Sequence, residues 1–174
     1  MNDPLSVDGT VDVYVAAGSN IDPVLRLKQA LALMQARFGA LSVSRAYRNE
    51  AVGFEGPDFV NLVVGFRTRE PVDDVRHALQ QVEEQCGRPR SAPKWASRAM
   101  DLDILLYGDV TRDTPELRLP RRDLLVRPYM LGPLAEIAPD VRHPTSGQTM
   151  RELWTAFDKS AHTMMAIALW PTGK

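Results

Sequence analysis

Two aspartates separated by one residue are the part of this sequence best suited to chemistry. Asp101-Leu102-Asp103 opens an apolar run that continues to Tyr107 and is typical of a β-strand. Because alternate side chains of a strand point to the same face, both carboxylates are predicted to project together. Two close carboxylates repel each other, and a divalent cation relieves that repulsion. Magnesium in proteins is commonly held by one or two carboxylates together with substrate phosphates.

A basic stretch precedes the two aspartates. The residues between Gln85 and Met100 include no acidic side chain and carry four cations: Arg88, Arg90, Lys94 and Arg98. Guanidinium groups bind phosphate through paired hydrogen bonds. Carboxylates for a metal beside guanidinium groups for phosphate predict chemistry on a nucleoside triphosphate. Taken alone, each motif has a plainer alternative, namely a solvated strand end and a solvated basic helix end.

The composition is that of an ordinary globular protein. The chain has 174 residues, 44% of them hydrophobic and 25% charged, and a net charge of −1. This balance favours a small anionic ligand over a nucleic acid or a membrane surface. The single cysteine, Cys86, excludes an internal disulfide and favours a reducing compartment. We therefore expect a cytoplasmic monomer with a loose tail over 1–10 and one domain over 11–174.

Hydrophobic periodicity predicts the order β-α-β-β-α-β. The expected strands are Val11–Ala17, Leu41–Tyr47, Phe59–Phe66 and Met100–Tyr107. The first expected helix is capped by Asp22, has Pro23 at its first position and ends at Gly39. The second begins at Pro71 and ends at Gly87. This order is that of the ferredoxin-like, α+β arrangement, in which two helices cover one face of an antiparallel sheet.

The rest of the chain is expected to form loops and an appended segment. The predicted loops are Asn49–Asp58 and Ser91–Ser97, and short helices are predicted over Tyr129–Ile137 and Thr149–Phe157. An edge strand is expected within Met164–Trp170.

Five segments between about Val13 and Trp154 resemble the 6-hydroxymethyl-7,8-dihydropterin pyrophosphokinase family. They are Tyr14-Val-Ala-Ala-Gly-Ser-Asn20, Phe59-Val-Asn61, Gly87-Arg88-Pro-Arg90, the run from Trp95 through Arg98 and Asp101 to Ile104, and the run from Arg127 to Asp140. The resemblance implies a ferredoxin-like fold. It also implies transfer of diphosphate from ATP to the hydroxymethyl group of the pterin, with release of AMP, in folate biosynthesis.

The resemblance also implies roles for individual residues. Asp101 and Asp103 would hold two Mg²⁺ ions, while Arg88 and Arg98 would act on the phosphates as catalytic residues. The implied ATP contacts are Gln80, Glu83, Arg88, Arg90, Arg98, Ile104, Arg121, Arg122 and Arg127. The implied pterin contacts are Val52, Phe59, Asn61, Trp95 and Tyr129, with Phe59 and Tyr129 stacking on the ring.

The sequence departs from the family pattern at three places. Ala96-Ser97 stands where the family commonly has Gly-Pro, and Arg121-Arg122 follows Pro120 where a histidine is usual. The Asn49–Asp58 loop is also about one residue shorter than in some members. The departures at Ala96-Ser97 and Arg121-Arg122 leave open a catalytically impaired paralogue that binds pterin or nucleotide. Two further alternatives are a nucleotidyltransferase that uses the same metal pair and releases diphosphate, and an interaction module without a ligand.

Overall fold

The computed structural model describes residues 8–50, 56–87, 99–160 and 163–170. Five predicted site residues lie outside these ranges: Val52, Arg88, Arg90, Trp95 and Arg98. The predicted loop Ser91–Ser97 and most of the predicted tail lie outside them as well.

The described residues form eight strands, four α-helices and one 3-10 helix. The strands are β1 (Val11–Ser19), β2 (Ser42–Val43), β3 (Ala46–Asn49), β4 (Phe59–Thr68), β5 (Asp101–Tyr107), β6 (Arg112–Asp113), β7 (Arg118–Leu119) and β8 (Met165–Ile167). The helices are α1 (Pro23–Phe38), α2 (Val72–Gln85), α3 (Pro128–Ile137) and α4 (Met150–Ala156), and a 3-10 helix spans Arg122–Leu125. None of the helices in the described ranges is long and apolar enough to cross a bilayer.

The main sheet confirms the predicted ferredoxin-like arrangement. Its strands lie in the order β5-β1-β4-β3-β8, β2 also pairs with β4, and every pairing is antiparallel. β1 is therefore an interior strand of the sheet, and β5, the last strand of the β-α-β-β-α-β unit, is an edge strand. The predicted C-terminal edge strand is present as β8 on the opposite side.

The sheet is covered on both faces. Val13 and Val15 of β1 belong to a core that includes side chains of α1 and α2, as predicted for the first two helices. The alternate residues Tyr14 and Ala16 face a second core built with α3 and the segment after β5. The appended segment is thus a second layer, because the other face of the sheet also carries apolar residues that must be buried.

A β-bulge in β5 controls which side chains reach the second layer. Tyr14 pairs with Leu106 but Val15 pairs with Ile104, so Leu105 is the extra residue. Leu105 and Leu106 both belong to the core on the α3 side. Because side chains alternate before the bulge, Asp103 lies on the same face as Leu105.

Two local predictions were wrong. The expected strand Leu41–Tyr47 is interrupted after β2, because the Ser44 hydroxyl accepts a hydrogen bond from the Val63 amide at 2.9 Å. Asp22 precedes α1, but its φ of 46° is left-handed and its side chain does not cap the helix. The β6–β7 hairpin and the 3-10 helix were not anticipated.

The buried His143 makes stability depend on pH. Its Nδ1 accepts hydrogen bonds from the amides of Thr145 and Ser146, both at 3.3 Å, and its side chain is 3% exposed. Burial lowers the pKa of His143 below its ordinary value of 6.5. The folded state therefore favours neutral imidazole, and this contribution is complete above pH 6.5 and is lost as the pH falls below it.

We expect the free energy of unfolding of the wild-type protein to fall by up to about 1 kcal/mol more than that of His143→Asn between pH 7.5 and pH 5.5. Urea unfolding at the two pH values measures this. His77→Asn, at an exposed position, serves as the control. If the free energy of unfolding had the same pH dependence in wild type and in His143→Asn, burial of neutral His143 would not be a source of that dependence.

Candidate active site

One cavity of about 880 Å³ gathers most of the predicted site residues. It is bounded by the α3-facing side of the sheet, the exposed edge of β5, helix α2, and the segment from the β6–β7 hairpin to the start of α3. The predicted residues that line it are Phe59, Asn61, Gln80, Glu83, Asp101, Asp103, Ile104, Arg121, Arg127 and Tyr129. Arg122 is the one predicted residue within the described ranges that does not.

Three residues of neighbouring strands form a row across the floor of the cavity. Gly18 of β1 pairs with Asn61 on one side and with Asp101 on the other. Adjacent strands lie about 4.8 Å apart, so the backbones of Asn61 and Asp101 are about 10 Å apart. Only glycine fits at position 18, because the amide oxygen of Asn61 lies where a β-carbon would be.

The amide of Asn61 is held in one orientation. Its Nδ2 donates a hydrogen bond to Asn49 Oδ1, and Asn49 Nδ2 donates to the carbonyl of Glu50 at 3.1 Å. This arrangement directs Asn61 Oδ1 toward Gly18 at the cavity floor. The amide oxygen is thus placed to accept from an N–H group of a ligand.

Asp101 and Asp103 project from the α3-facing side of β5, as their spacing predicted. They pair with Gly18 and Ala16 of β1, and both line the cavity in half-buried positions. Asp103 Oδ1 lies 3.3 Å from Arg121 Nη1, and Arg121 Nη2 lies 3.7 Å from Asp123 Oδ2. The carboxylates therefore share the cavity with cationic side chains.

The carboxylate pair fits a hard divalent cation whose remaining ligands come from a substrate. Both donors are oxygens, which magnesium prefers. No group of three or more His, Cys, Asp or Glu residues in the described part of the chain could hold a metal by itself. Asp101 and Asp103 could thus supply two ligands, and phosphate oxygens would complete the coordination.

The edge of β5 offers backbone groups to the cavity. Glu83 of α2 accepts a hydrogen bond from the Leu102 amide at 2.9 Å, which places that amide on the side away from β1. Ile104 lies two residues further along β5, directly before the bulge, and lines the same cavity. Gln80 lies one helical turn before Glu83 and lines the same region.

Two aromatic residues line the cavity near the floor. Phe59 stands two residues before Asn61 on β4, with Cδ1 3.8 Å from the position of a β-carbon on Gly18. Tyr129 is the second residue of α3. Burial raises the pKa of the Tyr129 phenol, Arg127 opposes this, and Asp123 and Asp103 add to it. The phenol is therefore neutral at physiological pH.

Arg122 points away from the cavity. Its Nη2 lies 3.7 Å from Asp113 Oδ2, and its side chain is 70% exposed. Arg121 immediately precedes the 3-10 helix and Arg122 begins it. This helix has only four residues, so the sequence has no periodicity that tells which arginine faces a ligand.

Other cavity residues were not predicted. Arg76 precedes Gln80 by four residues and Glu83 by seven, so helical spacing from those two residues could have found it. Asn49 accepts a hydrogen bond from Asn61, and Asp123 pairs with Arg121. No spacing in the sequence indicates such contacts.

Comparisons with known proteins identify the family of the chain. Residues 14–139 match the model of the family described as 7,8-dihydro-6-hydroxymethylpterin-pyrophosphokinase (HPPK). Proteins named 2-amino-4-hydroxy-6-hydroxymethyldihydropteridine pyrophosphokinase are similar over most of the chain. The one from Synechocystis is 35% identical, covering 90% of this chain and 78% of that protein. The one from Pseudomonas aeruginosa is 38% identical, covering 83% and 90%.

Solved structures support the fold. A crystal structure of Plasmodium falciparum HPPK-DHPS with pterin and p-hydroxybenzoate superposes with a TM-score of 0.66 at 16% identity. The match covers 84% of this chain and 43% of that longer chain, so this chain spans less than half of its length. By its sequence and its fold, this chain belongs to the 7,8-dihydro-6-hydroxymethylpterin-pyrophosphokinase family of diphosphotransferases.

Proposed function

We propose that the protein transfers diphosphate from ATP to the hydroxymethyl oxygen of 6-hydroxymethyl-7,8-dihydropterin, a step of folate biosynthesis. The hydroxymethyl oxygen attacks the β-phosphorus, and the bond between the β-phosphorus and the α,β-bridging oxygen breaks. AMP leaves with that oxygen and its electron pair, and the hydroxyl proton passes to solvent. The observation that carries the proposal is the row Asn61–Gly18–Asp101. It places an amide suited to a pterin about 10 Å from carboxylates suited to a magnesium triphosphate.

The pterin is proposed to bind over Gly18. Asn61 Oδ1 would accept from the N–H edge of the ring, and Phe59 and Tyr129 would pack on its faces. Gly18 lets the Asn61 amide oxygen lie close to the sheet, and any larger side chain at position 18 would displace Asn61. Val52 and Trp95, which lie outside the described residues, stay proposed contacts on the basis of the family resemblance.

The nucleotide is proposed to bind along β5. The N–H and C=O of Ile104 suit the hydrogen-bonding edge of a nucleobase, and Gln80 and Glu83 would line its pocket. Arg121 and Arg127 line the part of the cavity beside Asp103 and would bind phosphate oxygens. Arg88, Arg90 and Arg98 remain proposed phosphate contacts from the resemblance.

Asp101 and Asp103 are proposed to hold Mg²⁺. The family resemblance implies that two ions bind there. Bound there, magnesium would neutralise triphosphate charge. The protein's own contribution is to orient the two substrates and to exclude water, since transfer of this kind depends on positioning more than on a covalent nucleophile.

We further propose one pyrophosphokinase domain over 11–174 that acts as a cytoplasmic monomer. Light scattering of the purified protein tests the monomeric state.

The proposed reaction is tested by product identity. With ATP, Mg²⁺ and 6-hydroxymethyl-7,8-dihydropterin, we expect AMP to form only when the pterin is present and to disappear with EDTA. Chromatography of the nucleotides measures this. Diphosphate release instead of AMP would indicate nucleotidyl transfer. Pterin binding without AMP would indicate an impaired paralogue.

Asp103→Ala is expected to lower the rate on the order of 10³-fold, because it removes a proposed magnesium ligand. Steady-state formation of AMP measures the change. Asp140→Asn, an exposed aspartate paired with Arg151, serves as the control. A loss smaller than tenfold would exclude Asp103 as a metal ligand.

Asn61→Ala is expected to weaken pterin binding by about 1–3 kcal/mol, because a polar edge of the ligand loses its partner. Nucleotide binding is expected to stay unchanged, since Asn61 lies about two strand spacings from Asp101. Calorimetric titration with each ligand measures both. Equal weakening for the two ligands would contradict the proposed division of the cavity.

A further inference from the structure

Arg121 bridges two carboxylates inside the cavity. Its Nη1 lies 3.3 Å from Asp103 Oδ1 and its Nη2 lies 3.7 Å from Asp123 Oδ2. Its backbone amide donates to the Leu105 carbonyl at 3.0 Å, which ties the base of the side chain to β5. The guanidinium therefore can change partners only by rotation of the side chain.

The guanidinium is not fully satisfied in this position. Arg121 Nε is buried and has no hydrogen-bond partner among the described residues. A buried donor without a partner carries a free-energy cost, which a new acceptor would remove. Phosphate oxygens are strong acceptors for guanidinium groups.

We propose that Arg121 is a resident counter-cation for Asp103 that a divalent cation displaces and that then binds the triphosphate. This rests on the proposed function and adds an exchange of partners at the carboxylate. Before the substrates arrive, Arg121 neutralises Asp103. When a divalent cation binds Asp103, Arg121 transfers to phosphate while Asp123 keeps the guanidinium within the cavity.

Electrostatic repulsion favours the exchange. A metal ion about 2.1 Å from an Asp103 oxygen would lie within a few ångströms of a guanidinium that is now 3.3 Å from the same carboxylate. Two cations at that distance repel each other. Arginine stays charged at every physiological pH, so the competition does not disappear as it would for a neutral histidine.

The proposal predicts effects of opposite sign for one substitution. Arg121→Gln removes the competing charge, so Mn²⁺ alone should bind the nucleotide-free protein about two- to fivefold more tightly, the range expected from a partly exposed ion pair. The same variant should bind a non-hydrolysable ATP analogue with Mg²⁺ more weakly than wild type, because the triphosphate loses a partner.

Electron paramagnetic resonance of free Mn²⁺ measures the first effect without turnover, and calorimetry measures the second. Arg151→Gln makes the same charge change on α4, at an exposed side chain paired with Asp140, and should match wild type in both. In a protein that carries Asp103→Asn, Arg121→Gln should no longer increase the affinity for Mn²⁺. Arg121→Lys keeps the charge and should bind Mn²⁺ within twofold of wild type.

Two results would overturn the proposal. One is Mn²⁺ binding to Arg121→Gln that is equal to or weaker than that of wild type, including undetectable binding in both. The other is an increase in Mn²⁺ affinity on Arg121→Gln that persists when the protein also carries Asp103→Asn. If Arg121→Gln folds poorly by circular dichroism, Arg121→Met provides the same test. The Mn²⁺ measurement needs neither ATP nor pterin, so it can fail or succeed independently of the AMP assay.

Discussion

The register of three antiparallel strands is the constraint on which the site depends. β4, β1 and β5 are aligned so that Asn61, Gly18 and Asp101 lie in one row on the α3-facing side. A shift of one residue would turn Asn61 or Asp101 into the apolar core beneath α1 and α2. The valines and leucines on the opposite side of these strands hold the register, because their burial requires the same alternation.

The segment after β5 completes the cavity by bringing cations to the carboxylates. The 3-10 helix and α3 pack on the sheet through Leu124, Leu131 and Leu134, which are fully buried. This packing places Arg121, Arg127 and Tyr129 over the face that carries Asp101 and Asp103. Asp101 and Asp103 thus come from the ferredoxin-like unit, whereas Arg121, Arg127 and Tyr129 come from the segment after β5.

Regular periodicity made the core elements predictable. The positions of β1, β4, β5, α1 and α2, and the common face of Asp101 and Asp103, follow from spacings of two and of three to four residues. Contacts between side chains and backbone were not predictable in this way. The Ser44–Val63 hydrogen bonds that divide the second strand are one example, and the outward direction of Arg122 is another. Most of the site could be assembled only through the family resemblance, since Phe59 and Tyr129 have no spacing that distinguishes them from core residues.

The most direct test is a crystal structure of the protein with a non-hydrolysable ATP analogue, Mg²⁺ and 6-hydroxymethyl-7,8-dihydropterin. We expect magnesium about 2.1 Å from oxygens of Asp101 and Asp103, and the pterin above Gly18 with its N–H edge on Asn61. We also expect Arg121 on the triphosphate and no longer on Asp103. A pterin bound elsewhere, or metal ions that do not contact the two aspartates, would contradict the central claim that one strand register positions both substrates.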